Sequence, residues 1–343
     1  MSRRDLIRWP GKPIEQSLVV FITYLFVAVV TMVLRYAALH TGAGELHYDP
    51  RLVWLPIASE LAAGETLYVT TTFDNKSPLF HALNYLVYLT GHYVTVFYAL
   101  IALGNATVAY LLYYWLRANE LPRAGLIAGL LYVVSMPHVD GNVINVRTFA
   151  LIFLVGALLT ARPWRRGGLF AVSALFSQYS VFALPVLWYD GIRRSEATTP
   201  FEWTTKFAVS GLLVGILCYL PLLAWGTDAL RAGIEANYLS IGEYAMHRED
   251  DFSPVTSPLS WAEALGSTAL ALLYLLVPAG MILGYSVWRR RLDWTVGTVS
   301  GLLALSFATT LLIKSLYYYW MPVVAFLAPV VGIGVVRFVR AKT

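Results

Sequence analysis

Two short runs carry the residues best suited to chemistry. Glu45, His47, Asp49 and Arg51 form the first, and Asp74, Asn75 and Lys76 the second. A carboxylate can take the proton from a hydroxyl nucleophile. Lysine and arginine can hold a phosphate, arginine through a bidentate fork. Acids and bases bunched in this way suit transfer of a group from an anionic carrier to a hydroxyl. The plain alternative is a solvated amphipathic loop whose charges cap helix ends and whose lysine snorkels to water. Spacing alone leaves both readings open.

Two local helices would position these runs. Residues 52–63 are apolar with helical spacing and stop at Gly64, a good C-terminal signal. Residues 78–89 form a second helix opened by Ser77-Pro78, with proline where the first turn tolerates it. Both read as helices lying along a membrane surface, and both fall in a long mixed segment, 40–92, that follows an apolar stretch.

The composition agrees with a membrane setting. Of 343 residues, 58% are hydrophobic and only 13% charged, too little charge to cover a soluble domain of this size. Apolar runs at 17–39, 93–117, 124–137, 144–160, 167–178, 180–190, 205–225, 263–287, 294–313 and 316–337 predict an all-α integral membrane protein with about ten spans. The pieces 167–178 and 180–190 are short enough to form one helical hairpin. The first run is too long for the apolar core of a signal peptide and reads as a retained helix. The net charge of +5 comes from short clusters, among them Arg3, Arg4, Arg8 and Lys12, then Arg162, Arg165 and Arg166, then Arg289, Arg290 and Arg291. With ten spans these clusters fall on one side, which predicts cytoplasmic termini and puts segments 40–92 and 226–262 on the outer face. Nucleic acid is therefore not the expected partner; the bilayer is. The single cysteine, Cys218, excludes a disulfide framework, and there is no Walker or dinucleotide motif.

The order of residues in the first outer segment resembles the GT-C membrane glycosyltransferases. An acid after the first span, then Gly-x-x-x-Tyr, then Asp-Asn-Lys-x-Pro is similar to the branch of the aminoarabinose transferases and protein O-mannosyltransferases. Here these are Asp49, Gly64, Tyr68, Asp74, Asn75, Lys76 and Pro78. The likeness is clear over roughly 17–190, and Tyr317, Tyr318, Tyr319 and Pro322 stand where relatives often have an aromatic run before a proline. It implies a GT-C-like fold and a glycosyltransferase moving a hexose or pentose from a polyprenyl phosphate to a glycan, lipid or protein acceptor on the outer face. It implies Asp49 as the catalytic acid/base position, Lys76 as a ligand of the donor phosphate, and Arg51 as a candidate second ligand. The family acid is often followed by Glu; here Pro50 follows it, and Glu45 is the reserve base. Some relatives use a divalent cation such as Mg or Mn, and others do not. The likeness divides the chain into a module over 1–190 and a set of C-terminal helices over 191–343.

Other residues carry two readings each. Arg147, at the start of the fourth span, would bind phosphate or pair with Asp140 or Asp74. His81 lies one turn beyond Ser77 and would either face the substrate or serve as an ordinary hydrogen-bonded residue. Tyr238 and Tyr244 in the second outer segment suit sugar or acceptor contact. Lys314 is a phosphate contact or a snorkelling end, and Tyr318 a substrate contact or part of an aromatic belt. Gln178 stands where relatives often have a lysine. The rival functions are a transporter or lipid-linked sugar flippase, which would show a polar path and repeats, and a scaffold without enzymatic activity.

Overall fold

The computed structural model describes residues 14–39, 49–195, 199–239, 257–289, 293–312 and 317–340. Its elements are helical: α1 (Ile14–Leu39), α2 (Leu55–Ala62), α3 (Pro78–Leu89), α4 (Tyr93–Ala118), α5 (Pro122–Ser135), α6 (Arg147–Leu158), α7 (Pro163–Phe176), α8 (Leu184–Arg194), α9 (Pro200–Tyr219), α10 (Thr227–Ile234), α11 (Pro258–Ala271), α12 (Leu273–Trp288), α13 (Trp294–Leu312) and α14 (Met321–Arg340). Proline opens α3, α5, α7, α9 and α11, where its missing N–H costs nothing. Ahead of α9, Thr199 also caps the first turn, its hydroxyl accepting from the Glu202 N–H at 3.2 Å.

Among the described residues, five helical stretches are long and apolar enough to cross a bilayer: Gln16–Leu34, Tyr93–Ala118, Pro200–Trp225, Trp294–Leu311 and Tyr317–Val339. They mark the chain as a membrane protein. The count of ten expected from hydropathy is met by five, or six if α11 and α12 form one broken span. The rest are short: α6 has 12 residues, about 18 Å of rise, against roughly 30 Å of hydrocarbon. The expected continuous span 263–287 is two helices bent by 80°. The bend turns on Leu272, fully buried and lying between α11 and α12. The expected hairpin at 167–190 is α7 and α8 joined by a 3-10 stretch, Gln178–Ala183.

The main core joins α1, α4, α5, α6 and α14 through Tyr24, Leu112, Tyr132, Leu154 and Phe326. Helix α7 packs against both α6 and α9. Its approach to α9 needs a glycine, because a side chain on Gly167 would collide with the Phe207 carbonyl. A second cluster (Trp54, Phe80, Phe97, Phe149 and Phe176) seats α3 on α4, α6 and α7. Helix α3 and the turn before α2 are thus anchored to the bundle on one face.

At its last residue α6 is gripped by a closed ion-pair knot. The Leu158 carbonyl accepts from Arg166 Nη2 at 3.5 Å and from Arg194 Nη1 at 3.2 Å, so an end-of-helix acceptor finds cationic donors. Both arginines pair with Asp190, each at 3.0 Å, and Trp294 Nε1 donates to the same carboxylate at 2.8 Å. Arg166, expected among the solvated basic residues flanking the membrane, is instead fully buried. Its remaining donors go to the carbonyls of Thr160 and Leu187.

Candidate functional site

The loop from Tyr68 to Ser77 is held by its own backbone and by α3. Tyr68 adopts a left-handed φ of 66°, unusual for a residue with a large side chain, and its hydroxyl donates to the Lys76 carbonyl at 2.5 Å. Burial pushes the phenol well above its ordinary range and keeps it a donor. Asp74 Oδ1 accepts from the Asn75 N–H at 2.8 Å and lies 3.7 Å from Lys76 Nζ. That ammonium donates to Asn75 Oδ1 at 2.5 Å. Gln178 Nε2 donates to the carbonyl of Asn75 at 2.8 Å and to that of Asn237 at 3.4 Å, tying the loop to the 3-10 stretch after α7 and to the second outer segment.

Asp49 reaches the same place from the other side. It stands at the N-cap position of the π-helical turn Pro50–Trp54 that runs into α2. That turn is locked to α3, because Asn84 Nδ2 donates to the Trp54 carbonyl at 2.5 Å. Asn84 in turn accepts from the Tyr93 hydroxyl at 2.6 Å, which adds α4 to the lock.

Between these pieces lies a cleft of about 700 Å³, open to solvent, lined by Asp49, Asn75, Lys76, Arg147, Gln178 and Tyr318, with Asn145, Tyr179 and Tyr319 completing the far wall. Arg147 is the first residue of α6 and is buried. Its guanidinium lies 3.8 Å from the ring centroid of Tyr319, 4.4 Å from that of Tyr318 and 5.7 Å from that of Tyr179. Neither expected ion pair forms: no carboxylate among the described residues pairs with Arg147, and Asp74 faces Lys76 at 3.7 Å. Three aromatic faces partly offset the cost of burying the cation, and the helix N-terminus behind it adds a positive dipole end. A second cavity, of about 490 Å³, shares Arg147, Tyr179 and Tyr319 with the first and runs past Ala150, Leu154 and Phe182 along α6.

Of the residues singled out from the sequence, the cleft brings together Asp49, Asn75, Lys76, Arg147 and Tyr318. Asp74 and His81 are buried behind Lys76 and line neither cavity, so direct substrate contact, expected of both, is not what their positions offer. Arg51 is exposed and lines neither. Tyr238 is half exposed, its ring 6.0 Å from that of Tyr219, away from both cavities because the turn Glu235–Leu239 faces it outward. Glu45, Tyr244 and Lys314 lie outside the described residues. Among the described residues no group of three His, Cys, Asp or Glu side chains is placed to hold a metal ion. Tyr179 and Tyr319 were not foreseen as site residues. The signal that could have found them is Arg147 itself, a buried cation whose nearest need, after an anion, is aromatic faces.

No protein-family model matches the chain, and no curated protein matches it. A solved structure does resemble it. The crystal structure of the Archaeoglobus fulgidus oligosaccharyltransferase, tethered with an acceptor peptide containing the NVT sequon via a disulfide bond, aligns over 96% of this chain with a TM-score of 0.58 at 13% sequence identity. The alignment spans 51% of that enzyme's chain, so this chain matches about half of its length. The likeness shows the fold alone: this chain is folded as that oligosaccharyltransferase is over the aligned half.

Proposed function

We propose that the chain is a GT-C-type membrane glycosyltransferase that moves a sugar from a polyprenyl phosphate to an acceptor hydroxyl or amide on the non-cytoplasmic face. One observation carries the reading: a carboxylate, Asp49, and two cations, Lys76 and Arg147, from three separate elements line one open cleft in a protein with this fold. Asp49 takes the acceptor's proton as the new bond to the sugar's anomeric carbon forms. The bond from that carbon to the phosphate oxygen breaks, and Lys76 and Arg147 hold the phosphate as it takes up charge. The second cavity supports a lipid donor, since it begins at Arg147 and runs between apolar side chains along α6. With α11 and α12 counted as one broken span the number of spans is even, and the basic clusters then support termini in the cytoplasm and the cleft outside. The resemblance to an enzyme crystallised with an acceptor peptide favours catalysis over a transporter or flippase.

The test is binding of farnesyl phosphate, a short isoprenoid phosphate, to the purified protein in detergent. Lys76→Ala is expected to weaken it by about 100-fold, the size of a lost charge-assisted contact. Asp49→Asn should bind it as the parent does while losing transfer from a labelled polyprenyl-phosphate sugar. Unchanged binding in Lys76→Ala would refute the reading. Mass spectrometry of lipid co-purifying with the parent protein should find an isoprenoid phosphate.

A further inference from the structure

Behind Lys76 lies a buried group that the proposed transfer does not use. His81 is fully buried on α3, edge-on to the rings of Tyr68 and Phe80 at 5.6 and 5.7 Å. Its Nε2 lies 3.5 Å from Asp74 Oδ2. That oxygen and both ring nitrogens form no hydrogen bond, although each is inaccessible to solvent. Buried polar atoms are rarely left so without a reason. The other oxygen of the same carboxylate faces the Lys76 ammonium that lines the cleft.

Resting on the proposed function, we infer that His81 is a positioning residue: through Asp74 it sets where Lys76 presents its charge to the donor phosphate. The neutral imidazole carries one N–H, and placed on Nε2 that hydrogen points at Asp74 Oδ2. A small shift along the 3.5 Å separation completes the bond. Burial pulls the imidazole down to about 4, so at neutral pH it is an uncharged donor and leaves the negative charge of Asp74 to Lys76. With one oxygen held by the ring and the other by the Asn75 N–H, the carboxylate has a single orientation, facing the ammonium that also donates to Asn75 Oδ1. When a phosphate arrives, Lys76 can turn to it without the carboxylate following.

The experiment reads farnesyl phosphate affinity in the full chain. His81→Leu fills the space without a donor and is expected to weaken binding on the order of tenfold, the equivalent of one hydrogen bond to a charged group. His81→Gln puts an N–H at the Nε2 position and should stay within about twofold of the parent. Combined with Lys76→Ala, His81→Leu should cost nothing further, since its effect passes through that lysine. Asp74→Asn, which keeps the shape, should weaken binding as His81→Leu does and serves if the leucine variant fails to fold. Equal losses in the leucine and glutamine variants would overturn the inference, as would an undiminished loss on the Lys76→Ala background or unchanged binding in Asp74→Asn. Unchanged binding in Lys76→Ala alone would instead remove the functional reading and this inference with it.

Discussion

Helix α6 carries a buried arginine site at each end, and the two are opposites. At its last turn Arg166 and Arg194 close on Asp190, with Trp294 and three backbone carbonyls taking up further donors and acceptors. At its first residue Arg147 is also buried, yet its neighbours are three tyrosine rings and an open cleft. A buried charge with its counter-ion inside the protein belongs to the architecture. A buried charge set against aromatic rings at the edge of an open cleft is placed to meet an anionic ligand.

The sharpest way to break this contrast is at the closed end. Asp190→Ala leaves two buried cations uncompensated and is expected to cost about 3–5 kcal/mol. The readout is thermal unfolding in detergent, and the protein that remains folded should bind farnesyl phosphate normally. Arg147→Gln should do the reverse: affinity falls by about 100-fold, near 2.7 kcal/mol, while the unfolding temperature moves by only a few degrees. If both variants lose stability alike, the two ends are not different in kind.

A buried base away from α6 extends the comparison. His81 titrates near 4 in the folded chain against its ordinary 6.5. Between these values the unfolded chain binds the proton and the folded one does not, so stability falls as pH drops from 6.5 toward 4, by about 1.4 kcal/mol per pH unit in the steep part. Unfolding temperatures measured from pH 7 to pH 5 should decline, and His81→Gln should flatten the decline. The smallest effect expected is that of Tyr319→Leu, which removes the nearest aromatic face from Arg147. About 1 kcal/mol, or five- to sixfold in phosphate affinity, is the scale of one such contact.

How much of this could be read from the chain varies with distance along it. The bounds of α3 follow from Ser77-Pro78 and an apolar stripe, and Gly64 ends the helix before it with a positive φ, as its type predicts. Asp49, Asn75, Lys76 and Arg147 were all marked in advance by residue type, and the fold brings them to one cleft. What escaped were relations between distant residues. Arg166 looked like one more solvated membrane-flanking base, because Asp190 lies 24 positions on and Trp294 lies 104 beyond Asp190. The tyrosines at 317–319 looked like an interfacial belt until Arg147 was found against two of them. Nothing at Leu272, neither glycine nor proline, announced the bend between α11 and α12.

Gln178 brings an amide to the cleft, and the bonds it makes decide what that amide has left. Its nitrogen is given to two carbonyls, those of Asn75 and Asn237. A side-chain amide has two hydrogens and no more, so a molecule entering beside it meets an oxygen that can only receive. Phosphate oxygens gain nothing there, whereas a sugar hydroxyl does. On the proposed function, the hydroxylated part of the donor or acceptor, and not its phosphate, is what Gln178 selects.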